Sequence, residues 1–155
     1  MDGRVVLRRA GTTDADDLRR IVRAAYEKHV VRIGREPAPM LADYTRLVGE
    51  ARVWIAELAG RPVGLLVTRP EADHLLVENI AVDPAAQRRG VGARLLERAE
   101  LDAVEAQRSE IRLYTNEAMT ENLAYYARHG YVELHRATED GYRRVFLGKQ
   151  LPEGD

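Results

Sequence analysis

A chain of 155 residues with 45% hydrophobic and 32% charged residues is long enough for one globular domain, 1–155, with a real core. A formal net charge of -1 and sparse aromatics argue against a nucleic-acid or anionic-membrane partner. With no cysteine, disulfides, thiolate metal sites and cysteine nucleophiles are excluded.

The apolar run in Met1 to Arg9 is too short for a signal peptide, and no segment has the length of a membrane-spanning helix. A cytoplasmic location is therefore expected. His29, His74, His129 and His135 are scattered and lack the spacing of a zinc site, so no metal is expected. Val5 to Arg9 reads as a first strand. Thr12, Thr13 or Asp14 can cap a following helix, which puts Leu18, Ile21, Val22 and Ala25 on one face. Gly34, Pro37 and Pro39 break the pattern, so Val30 to Met40 reads as a loop, with a short helix from Leu41 to Val48 after it.

Arg52 to Leu58 and Val63 to Thr68 are strand-like, and the Ala59-Gly60-Arg61-Pro62 stretch between them has hairpin chemistry. A strand from His74 to Val82 comes next. Leu95, Leu96, Ala99 and Ala103 mark the buried stripe of a helix ending near Gln107. Glu110 to Thr115 reads as a strand and Thr120 to His129 as a helix closed by Gly130. Tyr131 to Ala137 and Arg143 to Leu151 form a closing pair around the turn Glu139-Asp140-Gly141. The order β α α β β β α β α β β predicts an α/β chain of the α+β type, with a mixed, twisted sheet of about seven strands flanked by about four helices.

The chemistry concentrates where the strand His74–Val82 ends. Glu78 and Asn79 interrupt an otherwise apolar strand, and a buried carboxylate is costly unless it is paired or used. Asp83-Pro84 follows, then Gln87-Arg88-Arg89-Gly90-Val91-Gly92 opening a helix. Consecutive N–H groups at a helix N-terminus, with glycines among them, suit a phosphate or pyrophosphate. This is no P-loop, because Ala93-Arg94 follows Gly92 where Lys-Ser/Thr is required. It is no dinucleotide fingerprint either, because Leu95 stands where a third small residue belongs.

Gln87-Arg88-Arg89-Gly90-Val91-Gly92 resembles the acetyl-CoA pyrophosphate signature Gln/Arg-x-x-Gly-x-Gly/Ala of the Gcn5-related N-acetyltransferase (GNAT) family. Ile80-Ala81-Val82-Asp83-Pro84 resembles the strand end that precedes that loop. Asn122 to Tyr131 is similar to the family's second signature, a helix with a tyrosine, here Tyr126, four residues before a Gly-aromatic pair. The resemblance implies a GNAT-like fold and an acetyl-CoA-dependent N-acetyltransferase, with acetyl-CoA as cosubstrate and no metal.

It also implies site roles. Pantetheine amides can pair with an exposed strand edge, which makes the backbone of Asn79, Ile80, Ala81 and Val82 their partner. The N–H groups of Arg88, Arg89, Gly90, Val91, Gly92 and Ala93, after Gln87, would receive the pyrophosphate. The side chains of Arg88 and Arg89 either pair with phosphates or form a solvated basic turn. Tyr126 is the expected acid for the leaving thiolate, with Tyr125 filling a packing role. Glu78 is either the base for the incoming amine or a strand carboxylate paired with a neighbouring Arg. Asn79 either fixes the strand splay or bonds the cofactor. Asn122 either touches CoA or solvates its helix, and Met119 stands where the family often has Asn.

Tyr26, Arg32, Tyr44 and Tyr142 are the expected acceptor-site residues, with Arg32 a holder for an acceptor carboxylate and Tyr142 a cover. The expected partner is a small-molecule amine such as an amino acid, a polyamine or a drug-like amine, with a homodimer left open. Acetylation of a peptide N-terminus or protein lysine is the alternative. A non-catalytic acetyl-CoA sensor is the alternative of another class.

Overall fold

The computed structural model describes residues 4–152, so the start of the Met1 to Arg9 stretch lies outside the described residues. Seven strands form one sheet: β1 (Val5–Arg9), β2 (Arg52–Leu58), β3 (Arg61–Pro70), β4 (Leu75–Val82), β5 (Glu110–Asn116), β6 (Val132–Glu139) and β7 (Tyr142–Gln150). Their order across the sheet is β1-β2-β3-β4-β5-β7-β6. Every neighbouring pair is antiparallel except β4 and β5, which run parallel. A parallel pair needs a crossover, and α4 (Val91–Glu105) supplies it.

Both faces of the sheet are covered, which explains why β3 is apolar from Val63 to Val67 without alternation. Leu65 and Val67 join Val53, Ile55 and the α1 residues Leu18, Ile21 and Val22 in one cluster. Leu66 faces the other way, against Leu95, Leu96 and Ala99 of α4. Helices α1 (Ala15–Ile33) and α3 (Tyr44–Glu50) therefore cover one face, and α4 with α5 (Thr120–Arg128) the other.

The β4 strand carries the feature that creates the site. Its pairing with β3 slips between Val67↔Asn79 and Thr68↔Val77, so Glu78 is an extra residue, a β-bulge. One extra residue exchanges the faces of everything beyond it. Leu75 and Val77 accordingly point into the α4 cluster, whereas Ala81 points into the α1 cluster and Asn79 bonds Tyr44 within it. Pairing with β5 also ends at Val77↔Leu113. From Glu78 onward β4 and β5 are splayed.

The segment from Val30 to Met40 differs from its loop reading. Helix α1 continues to Ile33 and stops at Gly34, whose φ of +91° ends the helix in the left-handed region. The expected helix Leu41–Val48 is two: α2 (Ala38–Leu41), one turn with Pro37 at its cap, and α3, capped by Asp43 accepting from the Arg46 N–H at 3.3 Å. The β6–β7 turn, Asp140 and Gly141 with φ of +51° and +81°, has the two positive φ values of a primed hairpin turn. No helix among the described residues is long and apolar enough to cross a membrane.

Candidate active site

A cleft of about 600 Å³ opens where the strands part. Its floor is Ile80, Ala81 and Val82; one wall is α1, through Tyr26 and His29, and the other is α5, through Asn122, Tyr125 and Tyr126. Gln87, Arg88 and Gly90 to Ala93 close one end. Arg88 (φ +67°) and Gly90 (φ +79°) both lie in the left-handed region. That alternation turns successive N–H groups toward one point at the start of α4, a nest for an anion.

The two glycines serve different ends. A Cβ on Gly90 would meet nothing, so its positive φ is what demands glycine. A Cβ on Gly92 would sit 2.5 Å from the Tyr125 hydroxyl. Tyr125 thus packs on the loop and lines the cleft, a more exposed position than the packing role expected of it.

A second cavity, of about 50 Å³, lies behind the splay and is lined by Pro37, Glu78, Tyr114, Met119, Tyr142 and Arg144 among others. Five residues border both spaces: Tyr26, Ile80, Met119, Asn122 and Tyr126. Tyr126 is buried on α5, edge-on to Tyr125 and Tyr131 at 5.6 and 5.9 Å. Burial holds its phenol protonated well above the ordinary tyrosine range. Its hydroxyl has no hydrogen-bond partner among the described residues.

The bulged Glu78 projects into the second cavity and accepts from Arg69 Nε at 2.7 Å through one carboxylate oxygen. Arg69 comes from β3, the neighbouring strand, so the pairing raised from the sequence is present. The adjacent Asn79 is buried in an internal chain: Tyr26 donates to its Oδ1 at 3.0 Å, and its Nδ2 donates to the Tyr44 hydroxyl at 2.9 Å. Tyr44 in turn donates to the Pro39 carbonyl at 2.6 Å. This chain ties α1, the α2 turn and α3 to the splayed part of β4. The Asn79 side chain is thereby taken up in fixing the strand.

Two sequence-based site residues stand elsewhere than expected. Tyr44 is a core residue behind Asn79 and borders neither space. Arg32 borders neither and pairs instead with Glu121 of α5 at 2.6 Å. Of the two loop arginines whose side-chain roles were left open, Arg88 lines the cleft and Arg89 does not. Asn79, whose side chain follows the strand-fixing alternative, borders the second cavity and not the large cleft. Tyr142 lines the second cavity, and Tyr26 and Asn122 line both spaces.

Sequence reasoning missed Lys28, His29 and Arg128 in the large cleft, and Tyr114 and Arg144 in the small one. His29 is 3% exposed with Nδ1 unpartnered, and burial lowers its pKa, so it presents a neutral imidazole. Its signal in the sequence was the i, i+3 spacing from Tyr26, which puts both on one face of α1.

A splayed parallel pair, an anion nest beside it and a phenol between two cavities define an acyl-transfer cleft suited to an extended phosphorylated carrier. A family model described as an acetyltransferase (GNAT) domain matches residues 49–133, and the chain belongs to that family. It is a GNAT N-acetyltransferase that uses acetyl-CoA. Solved structures share the fold. They include the PaiA N-acetyltransferase from Thermoplasma acidophilum in complex with coenzyme A (16% identity, TM-score 0.79, covering 95% of this chain and 99% of that one). A GNAT acetyltransferase from Elizabethkingia anophelis with acetyl-CoA bound matches at 19% identity and TM-score 0.67, over 95% and 98%. The ribosomal-protein-S18-alanine N-acetyltransferase from Escherichia coli matches at 19% and 0.76, over 98% and 97%.

Proposed function

We propose that the whole chain, 1–155, is one domain that transfers acetyl directly from acetyl-CoA to a primary amine on a small molecule. The observation that carries the assignment is Tyr126, a protonated phenol bordering both the large cleft and the small cavity, with no partner for its hydroxyl among the described residues. In this reading the large cleft takes the carrier and the small cavity takes the acceptor.

Acetyl-CoA supplies a thioester whose carbonyl carbon the amine attacks. The anion nest of Arg88 to Ala93 holds the pyrophosphate on backbone N–H groups. The free edge of β4 from Asn79 to Val82 holds the pantetheine amides and polarises the thioester carbonyl. Asn122 contributes from the facing helix. Glu78 takes the proton that the amine must shed, through the carboxylate oxygen that Arg69 leaves free. Tyr126 gives its proton to the departing sulfur and recovers one from solvent.

A small acceptor is favoured over a peptide by what crosses the sheet at the second cavity. Tyr142 donates to the Glu36 carbonyl at 2.6 Å, the Arg35 guanidinium stacks 3.6 Å over the Tyr142 ring, and Arg35 donates to the Asp140 carbonyl. These contacts join the loop after α1 to the β6–β7 hairpin over Tyr142, a wall of the second cavity, which favours a compact acceptor there. The test is a panel of free amines, peptides and intact proteins offered with acetyl-CoA and read by mass spectrometry. Acetylation of free amines at rates above those of peptides is expected. Acetylation confined to peptide N-termini or protein lysines would replace the small-molecule reading, and binding of acetyl-CoA with no turnover on any acceptor would point to a sensor.

A further inference from the structure

Resting on the small-molecule reading of the second cavity, we infer that its acceptor is an amine that also carries a carboxylate, held by Arg144. Glu78 and Arg144 are the charged residues in the cavity lining, one from β4 and the other from β7. In the β5–β7 register Arg144 lies opposite Asn116, the last residue of β5, at the splayed end of the sheet. Tyr114 and Tyr142, each two residues away along its strand, share that face.

The Arg144 guanidinium is 4.5 Å from the Tyr114 ring centroid and 5.6 Å from that of Tyr142. Its side chain is only 14% exposed. A guanidinium stacked on aromatic rings is fixed in orientation and offers its planar fork to an oxyanion. Its carboxylate partner, Glu139, is 49% exposed and engages a single nitrogen, Nη1, at 2.9 Å. Nε and Nη2 have no hydrogen-bond partner among the described residues.

Glu78 supplies the opposite charge. Burial raises the Tyr114 phenol's pKa, Arg144 pulls it down and Glu78 pushes it up, so both charges act on this one wall residue. An ammonium drawn to Glu78 and a carboxylate drawn to Arg144 describe an amino acid. The carboxylate-holding role expected of Arg32 thus falls to Arg144, since Arg32 is outside the cavity and paired with Glu121.

The test compares free amino acids with their carboxamides and with the matching decarboxylated amines, by kcat/KM at saturating acetyl-CoA. The wild type should favour the acids by about tenfold to a hundredfold, the worth of a charge-assisted hydrogen bond. Arg144→Gln should erase that preference through KM for the acids, and Arg144→Lys should restore part of it. Glu139→Gln should sharpen the preference by removing the competing carboxylate, an effect that a purely structural Arg144 would not give. Acetyl-CoA affinity of each variant, measured separately, checks that the fold is retained. Equal use of acids and amines by the wild type would overturn this inference alone. Exclusive use of peptides or proteins would overturn it together with the small-molecule reading.

Discussion

At the scale of single residues the proposed chemistry depends on Tyr126. Tyr126→Phe keeps the ring and its contacts with Tyr125 and Tyr131 while removing the proton donor. The kcat should fall about ten- to a thousandfold with acetyl-CoA affinity little changed, as steady-state kinetics and calorimetry would read. A wild-type rate with chemistry rate-limiting would assign the proton to water. Gly92 and Tyr125 form the second residue-scale case. Gly92→Ala should weaken acetyl-CoA binding, because the new Cβ displaces a hydroxyl 2.5 Å away and with it a wall of the cleft. Tyr125→Phe in the same chain should restore much of the affinity, since the next ring atom is 3.4 Å from that Cβ. Failure of the second change to rescue would locate the damage in the loop backbone.

At the scale of elements, α4 is fixed to the sheet by a buried carboxylate. Asp102 is 1% exposed and accepts from Trp54 Nε1 at 2.9 Å, Thr68 Oγ1 at 2.7 Å, Arg98 Nε at 3.0 Å and Arg52 Nη1 at 3.3 Å. Arg98 also stacks on Trp54 at 4.3 Å. Asp102→Ala strands the buried Thr68 hydroxyl and three part-buried donors, a change that costs about 3–5 kcal/mol where a buried pair is broken. Thermal denaturation should show the melting temperature lowered by about 10 °C, and an unchanged one would mean that water takes over the carboxylate's role. Elements were legible where their signals are local: the apolar run in β2, punctuation at Gly130 and six consecutive residues for the anion nest. The bulge at Glu78 was not, because a slip in register exists only relative to β3, and His74–Val82, polar pair included, reads as one continuous strand. The helical continuation to Ile33 was obscured by the breakers just beyond it, Gly34 and Pro37.

At the scale of the whole molecule, the cleft and the cavity share walls from segments far apart in the chain. Tyr26, Glu78, Tyr114, Tyr126, Tyr142 and Arg144 come from α1, β4, β5, α5 and β7. The anion nest of the large cleft could be read because its motif is contiguous, whereas the second cavity is assembled by topology. That is why Arg144 was missed, and why Arg32 and Tyr44 were placed in the acceptor wall on the strength of their region alone. The same assembly makes the central claim testable. In the proposed reading the two spaces meeting at Tyr126 hold both substrates together, and no cysteine is available to carry an acyl group between them. The decisive measurement is the initial rate with acetyl-CoA and the selected amine varied against each other. Intersecting double-reciprocal lines are predicted, with no acetyl group on the protein after incubation with acetyl-CoA alone. Parallel lines, with the chain itself acetylated on a competent path, would contradict direct transfer.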